Sequence, residues 1–145
     1  MTSSFRFLED VALADTAFDA SGTSPSELCQ AAAQAVIESM VDPGTVVPTW
    51  KRTIELTASD FPTLLFDWLS ELVYLKDAEG ISFRGANPTV RENLRTGWHL
   101  TANVTGAPIN AEQQDLRADV KAVTKHLYEV RQEPGHWTAR VVLDV

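Results

Sequence analysis

Residues 53–83 read TIELTASDFPTLLFDWLSELVYLKDAEGISF, and three elements follow one another in them. Thr53 to Thr57 alternate apolar and polar side chains, the period of a half-buried strand. Ser59 or Asp60 can then cap a helix, and Pro62 suits its first turn. Leu64, Leu65, Trp68, Leu69, Leu72 and Leu75 form a broad apolar stripe, as expected of a helix packed between layers. The other side of that helix carries Asp67, Ser70, Glu71, Tyr74 and Asp77. Ile81 to Phe83 open a further strand that is expected to reach Val90.

The same alternation extends outward from this unit. Upstream, Phe5 to Leu8 and Asp15 to Ala20 read as short strands, with Ser21-Gly22 as a turn. Ser24-Pro25-Ser26-Glu27 is a helix start: Ser24 at the N-cap, Pro25 at the first helical position and Glu27 reaching back. Leu28, Ala32, Ala35, Val36 and Met40 recur at helical spacing, and Asp42-Pro43-Gly44 ends the run. Downstream, Glu92 to Gly97 reads as a turn. Trp98, Leu100, Ala102 and Val104 alternate with polar neighbours as a half-buried strand, which Pro108 and Asn110 break. Ala111 to Arg117 is expected to make a helical turn. Val120 to Val130 and Trp137 to Val145 form a final hairpin around Glu133-Pro134-Gly135. Two strand–helix–strand crossovers and three later strands make a single α+β domain over residues 1–145, with sheet packed on the helices.

Composition narrows the function. The chain has 145 residues, 44% hydrophobic and 22% charged, in the ordinary range of a globular domain large enough for a real core. Its formal net charge of −8 argues against broad nucleic-acid binding or adhesion to anionic membrane, because phosphate needs a basic surface. No apolar run is long enough to span a bilayer, and no basic leader precedes an apolar segment, so a cytoplasmic setting is expected. Cys29 is the single cysteine, which excludes an internal disulfide and a multi-thiolate metal site. It lies beside the helical stripe with no basic neighbour in sequence, and reads as a packing residue.

Motifs for nucleotide or acyl chemistry are missing: there is no P-loop, no Gly-x-Gly-x-x-Gly and no Gly-x-Ser-x-Gly. His99, His126 and His136 are scattered. His126 falls in an expected strand, on one face with Thr124 and Tyr128, where it reads as a structural histidine or a catalytic one. Asp67 and Glu71 stand four apart on one helix face, either as a solvated pair, as an acid/base pair, or as a site for a cation or partner. The ending is also two-sided. Trp137-Thr-Ala-Arg-Val-Val-Leu-Asp144-Val145 is strand-like and places Asp144 beside the α-carboxylate of Val145. Asp144 is either a solvated strand end or part of an acidic site for a hard cation.

Several segments together resemble the archease family. They are Asp67-Trp-Leu-Ser-Glu-Leu-Val-Tyr-Leu-Lys-Asp77, Lys121-Ala-Val-Thr-Lys-His126 followed by Leu127-Tyr-Glu-Val130, and the ending Trp137 to Val145. Near the start, Phe7-Leu8-Glu9 and Ala14-Asp15, with Gly22 seven residues on, resemble the family's opening motif. The resemblance implies two sheets sandwiching two main helices. It further implies a protein cofactor of an RtcB-type RNA ligase, which promotes guanylylation of the ligase's own histidine by GTP and repeated turnover in tRNA splicing or RNA repair. It also implies calcium or another hard divalent cation held by Asp15 and Asp144, with oxygens of Val145. The opening motif departs from the family's usual Glu-His-Thr-Ala-Asp, since Val11-Ala12-Leu13-Ala14 precede Asp15, and Ala17 stands at the usual glycine. Glu9 or Asp10 is a candidate for a further oxygen. Asp67, Glu71 and His126 are candidate partner contacts. The competing classes are a metal-dependent hydrolase using Asp15, Asp144 and His126, and a chaperone-like binding module whose cation is structural.

Overall fold

The computed structural model describes residues 3–8 and 15–145. In chain order the elements are β1 (Ser4–Leu8), β2 (Asp15–Gly22), α1 (Pro25–Met40), a 3₁₀ turn (Pro43–Thr45), β3 (Trp50–Ala58), α2 (Phe61–Glu79), β4 (Ile81–Asn93), β5 (Gly97–Pro108), β6 (Ala122–Glu133) and β7 (His136–Asp144). They form two antiparallel sheets, ordered β1-β2-β7-β6 and β3-β5-β4. Both helices pack against both sheets, giving the β/α/β layering of an α+β domain.

The helix starts are built as their sequences dictate. The Ser24 hydroxyl accepts from the Glu27 N–H at 3.2 Å, while the Glu27 carboxylate accepts from the Thr23 N–H at 2.7 Å, one residue earlier than the standard capping box. Asp60 caps α2 through the Thr63 N–H at 2.8 Å, and that bond lowers the Asp60 pKa despite its slight burial. Gly80 ends α2 with φ 64°, the left-handed cap for which glycine has no steric cost.

Burial follows the sandwich. Leu28, Ala32, Ala35 and Val36 of α1 are fully buried, but so are Cys29, Ala33 and Ile37 on other sides of the helix. A helix apolar on so much of its circumference needs a sheet on either side. Trp68 of α2 is completely buried, and its indole N–H donates to the Cys29 carbonyl at 3.0 Å, tying the two helices at the centre. Burial pushes the Cys29 thiol pKa up, so it packs and does not react as a thiolate.

Both expected strand–helix–strand units are present: β3 and β4 both pair antiparallel with β5 and α2 carries the chain between them, whereas α1 carries the chain from one sheet to the other. Three expectations need correction. β4 continues past Val90 to Asn93, and Pro88 is tolerated because β4 is an edge strand. The segment 111–117 makes turns without a helix. Its backbone is held by the Val41–Leu116 bridge and by the Arg117 and Ala118 N–H groups on the Met40 and Ser39 carbonyls. The last hairpin begins at Ala122 and extends to Glu133, so the loop is shorter than expected.

Candidate functional site

β2 and β7 bring the two ends of the chain together. Phe18 and Ala20 of β2, and Ala139, Val141 and Leu143 of β7, face the core. By strand alternation Asp15 and Asp19, with Arg140 and Asp144, face outward from the four-stranded sheet. Asp15 lies directly opposite Asp144 in the antiparallel register. Residues so paired project to the same face with Cβ atoms about 4.5–5.5 Å apart. Both aspartates are half-buried, and so is Val145, whose side chain packs against the core. The Lys121 N–H donates to the Asp144 carbonyl at 2.8 Å and fixes the backbone there.

The two aspartates farther along differ from Asp19. Asp19 accepts two hydrogen bonds from Arg140, at 2.8 and 3.0 Å, with Arg6 3.7 Å away. The Arg140 hydrogen bond lowers the Asp19 pKa, burial opposes it, and the charges of Arg140 and Arg6 add to the lowering. No ion pair among the described residues neutralises Asp15 or Asp144. Like charges directly opposite each other in a sheet are unfavourable. Among the described residues the pair therefore offers carboxylate oxygens without an ion-pair partner, the donor chemistry that suits a hard cation. No group of three or more His, Cys, Asp or Glu side chains suited to a metal forms among the described residues, so any further oxygens come from the main chain or from outside that set. Glu9 and Asp10 lie outside the described residues.

The Asp19–Arg140 pair has a measurable pH signature. A carboxylate whose folded pKa is depressed contributes stability that is present above its unfolded value, 3.8, and lost as pH falls through the lower folded one. Asp19→Asn is expected to flatten the acid limb of the stability curve below about pH 4. Urea midpoints for wild type and variant between about pH 6 and pH 2 test this, and parallel acid limbs contradict it.

The other candidates are elsewhere. Asp67 is exposed and Glu71 half-buried on α2, away from any three-acid cluster with Asp15 and Asp144. Asp67 lies close enough to Tyr128 to add to the rise in the tyrosine pKa, for which burial is the main cause. His126 is exposed, and it does not share a face with Thr124 and Tyr128 in a regular strand. The β6–β7 register jumps from Thr124–Val142 to Glu129–Arg140, so residues 125–128 bulge opposite Val141 alone. Nothing in the composition of Lys125 to Tyr128 announces this, since Leu127 adopts φ 56° without being glycine or asparagine. The Asp19–Arg140 pair was recoverable from alternation, since each shares its strand face with Asp15 or Asp144.

The model of the archease protein family matches residues 5–145. The chain belongs to the archease family. It is 39% identical over 132 residues to protein archease of Methanothermobacter thermautotrophicus, covering 91% of this chain and 93% of that one. It is 32% identical over 133 residues to protein archease of Methanopyrus kandleri, covering 91% and 94%. The solution structure of protein 1598 of Methanobacterium thermoautotrophicum superposes with a TM-score of 0.80 at 35% identity, covering 97% of this chain and 98% of that one. A Thermotoga maritima crystal structure, described as an archease and possible chaperone, shares the fold with a TM-score of 0.61 at 18% identity and the same coverage. No helix among the described residues is long and apolar enough to cross a membrane.

Proposed function

We propose that this archease-family chain is a protein cofactor of an RtcB-type RNA ligase. In this reading it promotes GTP-dependent guanylylation of the ligase and multiple turnover in tRNA splicing or RNA repair. The observation that carries the reading is the Asp15–Asp144 pair, without an ion-pair partner among the described residues, in a chain matched by the family model over residues 5–145. The description of the Thermotoga relative as a possible chaperone is in keeping with action on a partner protein.

Asp15 and Asp144 would hold calcium or a similar hard cation, with oxygens of Val145 completing the set. The cation supplies positive charge that offsets the carboxylate repulsion and can be shared with a partner's oxygen ligands. The chain itself contributes position: β2 and β7 fix both aspartates, and Lys121 holds the Asp144 backbone. The net charge of −8 favours encounter with a basic protein surface. The hydrolase alternative needs His126 beside the aspartates, and His126 instead stands on the exposed bulge of β6.

The test is covalent transfer of GMP from GTP to a cognate ligase, with and without this protein. Accelerated transfer is expected. No acceleration, together with hydrolysis of GTP by this chain alone, contradicts the proposal. The acidic helix face serves as a control. Replacing Asp67 with Asn and Glu71 with Gln together should leave calcium affinity within about twofold, since neither is a ligand. Calorimetric titration checks this, and a large loss in the folded double variant moves the cation to α2.

A further inference from the structure

Two rows of polar side chains cross all four strands of the β1-β2-β7-β6 sheet on its outward face. In one row Arg6, Asp19, Arg140 and Glu129 stand opposite one another in register. Two residues along each strand, and so on the same face, Ser4, Ser21, Thr138 and Arg131 form the second row. Together they line a groove of about 540 Å³. It holds three arginines against two carboxylates, and so is locally basic in a chain of net charge −8. The carboxylates hold two of the arginines without exhausting them. Asp19 accepts from Nε and Nη2 of Arg140, at 2.8 and 3.0 Å, which leaves the Nη1 donors. Glu129 accepts from Nε of Arg131, which leaves both Nη groups. Arg6 Nη2 stands 3.7 Å from Asp19, too far for a hydrogen bond, and the Arg6 side chain is 76% exposed. Beside them the Ser4 and Ser21 hydroxyls share a hydrogen bond of 2.9 Å. Neighbouring charges are engaged elsewhere or distant. Glu133 lies 3.3 Å from His136. In the β6 bulge, the Lys125 ammonium stands over the Phe66 ring of α2, 3.9 Å from its centroid, and the Tyr128 hydroxyl donates to the Pro62 carbonyl of α2 at 2.5 Å. Asp15 and Asp144 lie four residues along the strands from the arginine row, roughly 13 Å away.

We propose that this groove is a binding site for a single phosphate group carried by a small phosphomonoester. Guanidinium forks match phosphate oxygens, and Arg6 and Arg131 can donate to a dianion without displacing Asp19 or Glu129 from their partners. A carboxylate brings half that charge against two carboxylates already in place. An extended polyanion is disfavoured, because Asp15 and Asp144 share the face and the whole chain is acidic. The volume is that of a small-molecule site, so the body of the ester has room beside its phosphate. The groove is separate from the Asp15–Asp144 pair, and its assignment does not depend on the ligase reading.

The experiment is an NMR titration of the full chain with glycerol phosphate, inorganic phosphate and acetate, at constant ionic strength and about pH 8, where the monoester is a dianion. Saturable shifts are expected at the backbone amides of Arg6, Ser21 and Arg140 with both phosphates, and glycerol phosphate should bind the tighter. Replacing Arg6 and Arg131 together with Gln should weaken binding about tenfold or more, in a variant whose spectrum remains that of the folded chain. Arg6→Gln alone leaves both carboxylate pairs intact and should weaken it in the same direction. Arg91→Gln removes the same charge from an exposed position on β4, in the other sheet, and should change affinity by less than about twofold. Shifts that grow linearly without saturating overturn the site, and so does an equal loss in Arg91→Gln. Acetate binding as tight as glycerol phosphate overturns the choice of phosphate, and tighter binding of inorganic phosphate overturns the ester.

Discussion

Asp144→Asn is expected to weaken calcium binding by about two orders of magnitude, because on the proposed reading it removes a charged ligand from a site whose affinity follows ligand charge. The same substitution should have the opposite effect on the cation-free protein. Asp15 and Asp144 are directly paired across β2 and β7 with no basic partner among the described residues, so neutralising one relieves repulsion. Without calcium the variant should melt at the same temperature as wild type or higher. With excess calcium wild type should gain stability by mass action and overtake it. This crossing of sign separates a cation site from a solvated strand end, which predicts no calcium dependence in either protein. The strand itself should persist in the variant, since Val141, Val142 and Leu143 are fully buried.

Trp68→Ala should produce the largest loss of stability. The side chain is wholly buried between the sheets, and its N–H is bonded to the Cys29 carbonyl. Truncating a buried tryptophan costs about 3–5 kcal/mol through lost burial and a residual cavity. That is a large share of the stability of a domain this size. Trp68→Phe keeps most of the ring and loses the hydrogen bond, so its cost should be smaller, on the order of 1–2 kcal/mol. Equilibrium denaturation in urea measures both. A loss below about 1 kcal/mol for the alanine variant contradicts the central role of this contact.

How much of this was legible in the sequence depends on what local chemistry controls. The helices were, because Ser24, Pro25 and Glu27, and Asp60 with Pro62, dictate starts that tertiary packing has no reason to override. The stripe from Leu64 to Leu75 also announced a helix covered on both sides, and each of its leucines is buried. Sheet membership was not legible. Nothing near Trp50 or Ile81 says that these strands share a sheet while β2 belongs to another, because pairing depends on contacts far apart in sequence. The segment 111–117 was misread because its polar run fits a helical turn as well as a strap. Its actual partners, the Ser39 and Met40 carbonyls at the end of α1, are remote in sequence.

The site shows the same division. Asp144 stood out beside Val145 at the strand-like ending, whereas Asp15 entered only through the family resemblance. Its place opposite Asp144 lies in the β2–β7 register, which only the fold supplies. His126 was misplaced because strand alternation was carried through Lys125 to Tyr128. There the backbone breaks period two, and anchors on α2 hold it so. Strain of this kind leaves no mark in residue type when the residue bearing it is a leucine.

The most direct measurement is RNA ligation by a cognate RtcB-type ligase in large excess of RNA over enzyme, with this protein present at less than one equivalent. The number of joined RNA molecules per ligase should rise many-fold with wild type. It should stay at the ligase-alone level with Asp144→Asn, although that variant remains folded. Equal turnover with wild type, with Asp144→Asn and with no added protein would contradict the account.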